Sequence, residues 1–396
     1  MNPVELRTVR NLVPRGLKVF FRADLNVPLS EGRVADDGRI RAVVPTVRWL
    51  IERGARVALC SHLGRPDGVV VDALRVGPVA VRLGELLGQE VRALPDCVGE
   101  AVAQQVNALE PREALLLENV RFHPEEEEND PDFARELAAP FDVFVNDAFA
   151  TAHRAHASTV GVARFLPAYA GFLMEREVEV LSGIRENPRR PYYILVGGKK
   201  AKDKLGVLTD LLPQVDGFLI GGGVAFTFLA AKGYGVGRSV VDLDLVDTIK
   251  ELIRKAEERG TRIVLPVDVV VARELSAGAE TRIVPADAIP KGWMGLDIGP
   301  AAAARFAEVL GEAGTVVWAG PMGAFEYPPF AEGTAAVAQT LVGSKAFTVV
   351  GGGETREAVE KLGLADRFGY VSTGGGATLD FLRGESMPAL EPLRAA

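Results

Sequence analysis

The sequence predicts an α/β protein of two doubly wound parallel-sheet domains, joined by a helix and with a cleft between them. Three observations carry this. Apolar runs of strand length alternate with stretches of helical period almost throughout, the pattern of βαβ units around a buried parallel sheet. The scheme runs once in each half, and 396 residues exceed one core at about 100 to 200 residues per domain. Between the halves Met174, Val178, Leu181 and Ile184 recur at helical spacing until Asn187-Pro188 stops the pattern, so the connector reads as a helix. The boundaries that follow are a first domain over 1–173, a connecting helix and hinge over 174–190, and a second domain from 191 to 380.

In the first half, strands are expected at Leu17 to Phe21, Arg56 to Cys60, Ala114 to Leu117 and Asp142 to Val145. Helices fall between them, as through Val43, Val47, Leu50 and Ile51. The run Glu125 to Glu128 reads as a solvated helix start. The second half places strands at Tyr192 to Val196, Gly217 to Ile220, Arg262 to Pro266, Thr315 to Trp318, Phe347 to Val350 and Tyr370 to Ser372.

A hydrophobic content of 48% with 25% charged residues is globular composition, and the net charge of −8 argues against a general binder of nucleic acid or anionic membrane. Any basic site must be local. The start at Met1-Asn2-Pro3 lacks a charged leader, and no apolar run approaches the roughly 18 residues of a spanning helix. A soluble, cytoplasmic protein is expected. Cys60 and Cys97 are too few for a disulfide framework and lack metal-ligand spacing, so reduced thiols are expected.

Ligands of doubly wound sheets bind at the carboxyl ends of strands, and there the two halves differ. In the first, the strand ends carry Arg22, Asp24 and Asn26, then His62 and Arg65, then Arg121 and His123, then Asn146, Asp147, His153, Arg154 and His156. Any one of these groups alone suits a turn or a cap. Arginine forks at successive strand ends of an acidic chain point to a small, multiply anionic substrate. In the second half the ends carry glycine: Gly221-Gly222-Gly223, Gly351-Gly352-Gly353 and Gly374-Gly375-Gly376. Glycine lets backbone approach phosphate oxygens ahead of a helix N-terminus, so the triplets point to a nucleotide. Neither a complete G-x-G-x-x-G nor a G-x-x-x-x-G-K-[ST] occurs, which counts against a dinucleotide oxidoreductase and an ordinary P-loop enzyme. Between the halves lies the hub. The apolar run Ile194-Leu195-Val196 ends at two glycines and releases Lys199, Lys200, Lys202 and Lys204 with only Asp203 opposing, which reads as a buried strand opening into a helix that carries cations. A solvated lysine-rich helix start is the plainer alternative.

Taken in order, the chain resembles the phosphoglycerate kinase family over almost its whole length. The matching stretches are RADLNVP from Arg22, SHLGRP from Ser61, LLENVRFHPEEE from Leu116, NDAFATAHRAHAS from Asn146, VGGKKAKDK from Val196, GWMGLDIGP from Gly292, GPMGAFE from Gly320 and STGGGAT from Ser372. The resemblance implies two Rossmann-like lobes, the first holding 3-phosphoglycerate or 1,3-bisphosphoglycerate and the second ATP or ADP with Mg²⁺. It also implies a monomer and a tail, 381–396, that returns to the first lobe. By it, Asp24, Asn26, Arg39, His62, Arg65, Arg121 and Arg154 hold the glycerate, although nothing else in the sequence singles out Arg39. Lys204, Gly222, Gly223, Gly352, Gly353, Glu354 and Thr355 hold the nucleotide phosphates, Glu326 the ribose, and Glu354 the metal. Lys200, Arg39 and Gly374, Gly375 and Gly376 surround the phosphoryl group in flight. Glu354 stands where the family commonly has aspartate, Ala319 where it has asparagine and Ala150 where it has glycine, while Lys199 and Lys202 add charge. A two-lobed dehydrogenase and a non-catalytic nucleotide- or phosphoglycerate-binding paralogue are the rival readings.

Overall fold

The computed structural model describes residues 5–395. The chain folds as two compact units, the first running to Ser182 and regained at Glu385, the second spanning Gly183–Gly384. In the first unit six strands, β1 (Lys18–Arg22), β2 (Arg56–Cys60), β3 (Val91–Ala93), β4 (Ala114–Leu116), β5 (Val143–Asn146) and β6 (Ala168–Ala170), form one sheet in the order β3-β4-β2-β1-β5-β6. Every pairing is parallel. The strand β1 is buried from Val19 onward without alternation, as expected of a strand covered on both faces. Register sets Arg22 beside both Cys60 and Asn146, so the polar residues that follow these strands leave the sheet along one edge. The helices α1 (Gly38–Glu52), α2 (Gly77–Leu87), α3 (Glu100–Asn107), α4 (Glu125–Glu128) and α5 (Pro131–Ala138) complete this unit. The tail pairs with its start through Arg7 N–H to Leu393 O at 2.7 Å and Ala395 N–H to Glu5 O at 2.9 Å.

The helix α6 (Phe172–Glu186) joins the units in sequence, and Met174, Val178, Leu181 and Ile184 are buried. Its first turn is held by the fully buried Asp147: Oδ1 accepts the Met174 N–H at 2.9 Å and Oδ2 the Thr46 hydroxyl at 2.6 Å. Otherwise orphaned donors at a helix start are thereby satisfied. Burial pushes the Asp147 carboxyl up to about 7, against hydrogen bonds from Thr46, Met174 and Leu173 that favour the anion. A carboxyl raised on folding contributes stability that is present below its unfolded value and lost as pH rises through 7. Between about pH 5 and about pH 8.5, the wild type is therefore expected to lose about 2 to 3 kcal/mol relative to Asp147→Asn. Urea titrations of both proteins check this, and a pH-independent difference between them would refute it.

The second unit contains β7 (Tyr192–Val196), β8 (Gly217–Ile220), β9 (Arg262–Val264), β10 (Asp268–Ala272), β11 (Thr281–Pro285), β12 (Met294–Ile298), β13 (Thr315–Ala319), β14 (Phe347–Gly351) and β15 (Tyr370–Val371). A parallel sheet runs β9-β8-β7-β13-β14-β15, and an antiparallel ribbon runs β11-β10-β12. Its helices are α7 (Leu205–Leu211), α8 (Val224–Ala231), α9 (Val246–Arg259), α10 (Pro300–Gly311), α11 (Glu332–Gly343), α12 (Gly353–Lys361) and α13 (Gly376–Arg383). Val196 lies opposite Ile220 and Ala319, and Ala319 opposite Gly351. Gly197, Gly221, Gly320 and Gly352 consequently leave the sheet side by side. All three glycine triplets follow strands of this one sheet.

Two readings of the sequence are corrected. The lysines do not ride on a helix: residues 197–204 form a loop and turn, and α7 begins only at Leu205. The glutamate run does form one helical turn, yet Glu126 within it is fully buried rather than solvated. The ribbon and the edge strands β3 and β6 were not anticipated.

Candidate active site

In the first unit the loop after β1 carries Asp24, 4% exposed, whose carboxylate pairs with Arg39 from the first turn of α1. Asn26 donates its N–H to Asp24 Oδ1 at 3.2 Å and accepts the Gly64 N–H on its own Oδ1 at 2.9 Å. Ser61 Oγ accepts the Leu25 N–H at 2.9 Å, so the loops after β1 and β2 are fastened together. Arg121 sits in a short turn capped by Asn119, whose Oδ1 accepts the Arg121 and Leu63 N–H groups and whose Nδ2 donates to Leu63 O at 2.7 Å. The Arg121 Nη1 donates to Gly64 O at 3.2 Å, and its Nε lies 3.4 Å from Glu127. Burial lowers the pKa of this guanidinium, Glu127 opposes the shift, and Arg22 and Arg154 add to it.

His62 is 5% exposed, and burial first, then Arg22, Arg121, Arg39 and His156, hold its pKa well below the ordinary range. Arg65 follows Gly64 and is exposed, as is Arg154, whose Nε donates to His153 Nε2 at 3.1 Å. Asp24, Asn26, Arg39, His62 and Arg121 thus form one linked group, with Arg65 next to it in sequence and the charge of Arg154 felt at Arg121. Cations crowded at one sheet edge of an acidic chain call for an anion. Two groups lie behind this cluster: Arg22, which the sequence marks among the strand-end cations and the fold buries wholly at the end of β1, and Glu126, which the sequence reading of the site missed and whose carboxylate accepts Ser158 N–H at 2.8 Å and the Ser158 hydroxyl at 2.6 Å.

In the second unit the backbones of three loops pack directly on one another. Gly198 N–H donates to Pro321 O at 2.9 Å, Gly222 N–H to Met322 O at 2.9 Å and Gly197 N–H to Ala319 O at 3.1 Å. Lys199 and Lys200 project from the first loop and are exposed. Lys204 precedes α7 and is partly buried, which lowers its pKa, while Glu354 and Asp203 oppose the shift. The charge of the exposed Glu354, in the first turn of α12, is therefore felt at Lys204. Thr355 is fully buried and accepts the Gly320 N–H on Oγ1 at 2.7 Å, fixing the start of α12 against the loop that leads to Glu326. Gly374 donates its N–H to Ser372 Oγ at 3.0 Å just ahead of α13, and Arg383 in α13 bonds Asp210 in α7 through Nε at 2.8 Å and Nη2 at 2.6 Å. The glycine turn and the lysine loop are thereby held in one frame. Ala319, 1% exposed, adds no polar group there.

Among the described residues a single set of three His, Cys, Asp or Glu donors gathers closely: Asp96, Cys97 and His123, with ligand atoms within 4.8 Å of one another. Its sulfur and imidazole donors do not suit Mg²⁺, which takes oxygen. No helix of the described residues is long and apolar enough to cross a membrane.

Residues 9–385 match the family model for phosphoglycerate kinase. The chain belongs to the phosphoglycerate kinase family. It is 54% identical over 387 residues to phosphoglycerate kinase of Pelotomaculum thermopropionicum, covering 98% of each chain. To that of Moorella thermoacetica it is 52% identical over 386 residues, with 98% of both covered. Among solved structures, phosphoglycerate kinase from Coxiella burnetii superposes with a TM-score of 0.86 at 43% identity, and that from Pyrococcus horikoshii with 0.88 at 35%, each pair covered to 98%. The two Rossmann-like domains are those of the phosphoglycerate kinase fold.

Proposed function

We propose that the chain transfers a phosphoryl group reversibly between 1,3-bisphosphoglycerate and ADP, giving 3-phosphoglycerate and ATP, as a cytoplasmic monomer of glycolysis. The observation that supports this most is the pair of unlike anion sites, arginine-rich at one sheet edge (Arg39, Arg121) and glycine-lined beside lysines at another (Gly198, Gly222). Asp24, Asn26, Arg39, His62, Arg65, Arg121 and Arg154 are assigned to the glycerate. Lys204, Gly222, Gly223, Gly352, Gly353 and Thr355 are assigned to the nucleotide phosphates, and Glu326 to the ribose hydroxyls. Lys200, Arg39 and the α13 start at Gly374 to Gly376 are assigned to the phosphoryl group in transit.

Transfer between a carboxylate and a diphosphate needs alignment and neutralisation of charge on three equatorial oxygens, and little covalent help. Lysine, arginine and helix N-termini supply that without a nucleophilic side chain, so the proposed reaction is direct and in line with no phosphoenzyme. The two anion sites must meet during turnover, and the proposal includes closure of a cleft that keeps water from the acyl phosphate. A coupled assay of ATP formed from 1,3-bisphosphoglycerate and ADP tests the reading; no turnover by pure, folded protein would overturn it.

The exposed Glu354 carboxylate, whose charge is felt at Lys204, is an oxygen donor of the kind Mg²⁺ accepts alongside nucleotide phosphates. Bound there, the ion would add neutralising charge on the phosphate oxygens. The longer arm of glutamate has more rotamers to order than aspartate. Glu354→Asp is thus expected to lower the half-saturating Mg²⁺ concentration about three- to tenfold, on the order of 1 kcal/mol. Identical Mg²⁺ titrations of the two proteins would exclude that role.

A further inference from the structure

We propose that Arg22 is a positioning residue that fixes His62 as the neutral tautomer protonated on Nε2, so that the ring offers one N–H donor to the anionic glycerate. The inference rests on the substrate assignment above and deepens it. Arg22 closes the central strand β1 and is wholly inaccessible. Its guanidinium spends each edge on a different partner: Nε donates to Ser158 Oγ at 2.7 Å, Nη1 to the carbonyl of Ala23, and Nη2 reaches His62 Nδ1 at 3.3 Å. Guanidinium has donors only. The Nδ1 atom facing it must therefore be the lone-pair nitrogen, which places the proton of a neutral ring on Nε2. Nε2 itself has no hydrogen-bond partner among the described residues.

The same contact excludes the imidazolium, since that form would set N–H against N–H. The charges of Arg121 and Arg39, and His156, act on the ring in the same direction. A neutral His62 is useful here because it adds a directed donor to a site already crowded with permanent cations.

A buried cation without a counter-charge is strongly disfavoured, and the fold supplies one. Ser158 Oγ accepts the Arg22 Nε–H at 2.7 Å and donates its O–H to Glu126 Oε1 at 2.6 Å, while its N–H donates to Oε2 at 2.8 Å. Glu126 is fully buried too; burial raises its pKa, and Arg22 and Ser158 oppose that. Arg22, Ser158 and Glu126 thus form a relay that holds the guanidinium plane in the orientation His62 needs. His156 Nδ1 lies 3.8 Å from Glu126 Oε1 at the far end.

Long-range ¹H–¹⁵N correlation spectra of the ligand-free protein at neutral pH test the tautomer without requiring activity. The expected wild-type spectrum shows His62 protonated on Nε2 alone. Arg22→Lys, which cannot donate in three directions at once, is expected to show mixed tautomers at His62. Its KM for phosphoglycerate should rise about tenfold, the loss of one good hydrogen bond, with an unchanged KM for nucleotide. Should Arg22→Lys not fold, the charge-neutral pair Arg22→Met with Glu126→Gln gives the same readouts. A His62 that is an imidazolium or protonated on Nδ1 in the wild type overturns the proposal. So does a folded variant with both the tautomer and the phosphoglycerate KM unaltered. Failure of the coupled assay by wild-type protein with the expected spectrum would instead indict the substrate assignment.

Discussion

Lys200→Ala is expected to lower kcat for ATP formation about 10²- to 10³-fold while KM for both substrates stays within about threefold. The reason lies in what Lys200 does in the resting fold. It stands in the exposed loop that leaves β7 and makes no hydrogen bond or ion pair among the described residues. Lys204, four positions on, is partly buried, with the charge of Glu354 felt at its ammonium, and is the lysine assigned to a ground-state phosphate. An ammonium with no resting partner has its interaction free for charge that develops in transit, and only such an interaction raises kcat rather than merely lowering KM. The flanking Lys199→Ala is the internal comparison, because that residue meets the rest of the unit through its backbone, packed against Gly223. Its replacement should change kcat less than about twofold, as for an exposed charge. Steady-state kinetics of the three proteins decide. A raised KM with intact kcat would make Lys200 a binding residue only.

How much of this was legible depended on whether the signal was local. The strands Arg56–Cys60, Tyr192–Val196 and Gly217–Ile220 have the bounds the sequence indicated, because a strand buried on both faces writes itself as an uninterrupted apolar run. Val91–Ala93 and Ala168–Ala170 are three-residue sheet edges, too short to exceed the background of such runs. The ribbon strand Thr281–Pro285 is mostly exposed and carries polar residues, so its pairing is set by β10 rather than by its own composition. Arg39 gave no signal because its role is tertiary: α1 begins where its side chain can meet Asp24, 15 residues earlier. Glu126 was misread for a related reason. Four consecutive glutamates look solvated, and only the return of the chain at Ser158 supplies the donors that let one of them be buried.

Gly222→Ala is expected to destabilise the second unit by about 3 kcal/mol and to weaken ADP binding at least about tenfold. Two penalties combine. Gly222 has φ of +58°, a conformation that costs an L-residue roughly 1 to 2 kcal/mol. A methyl group there would also meet Gly198 N at 2.8 Å, Gly198 O at 2.8 Å and Pro321 O at 2.9 Å. These are backbone atoms that cannot rotate aside, and overpacking of that kind costs typically 1 to 3 kcal/mol. The relief available is for the loops bearing Gly198 and Pro321 to move apart, which displaces the lysines and the amides assigned to the nucleotide phosphates together. Gly353→Ala is the contrast: a Cβ there meets nothing within 4 Å and φ is not positive, so unfolding should shift by less than about 1 kcal/mol. Affinity for 3-phosphoglycerate should survive in both variants, since the residues assigned to it lie in the first unit. Urea unfolding and calorimetric titration with ADP and with 3-phosphoglycerate check each part. A Gly222→Ala protein with the wild-type midpoint would mean that these loops possess slack which the 2.8 Å approaches deny.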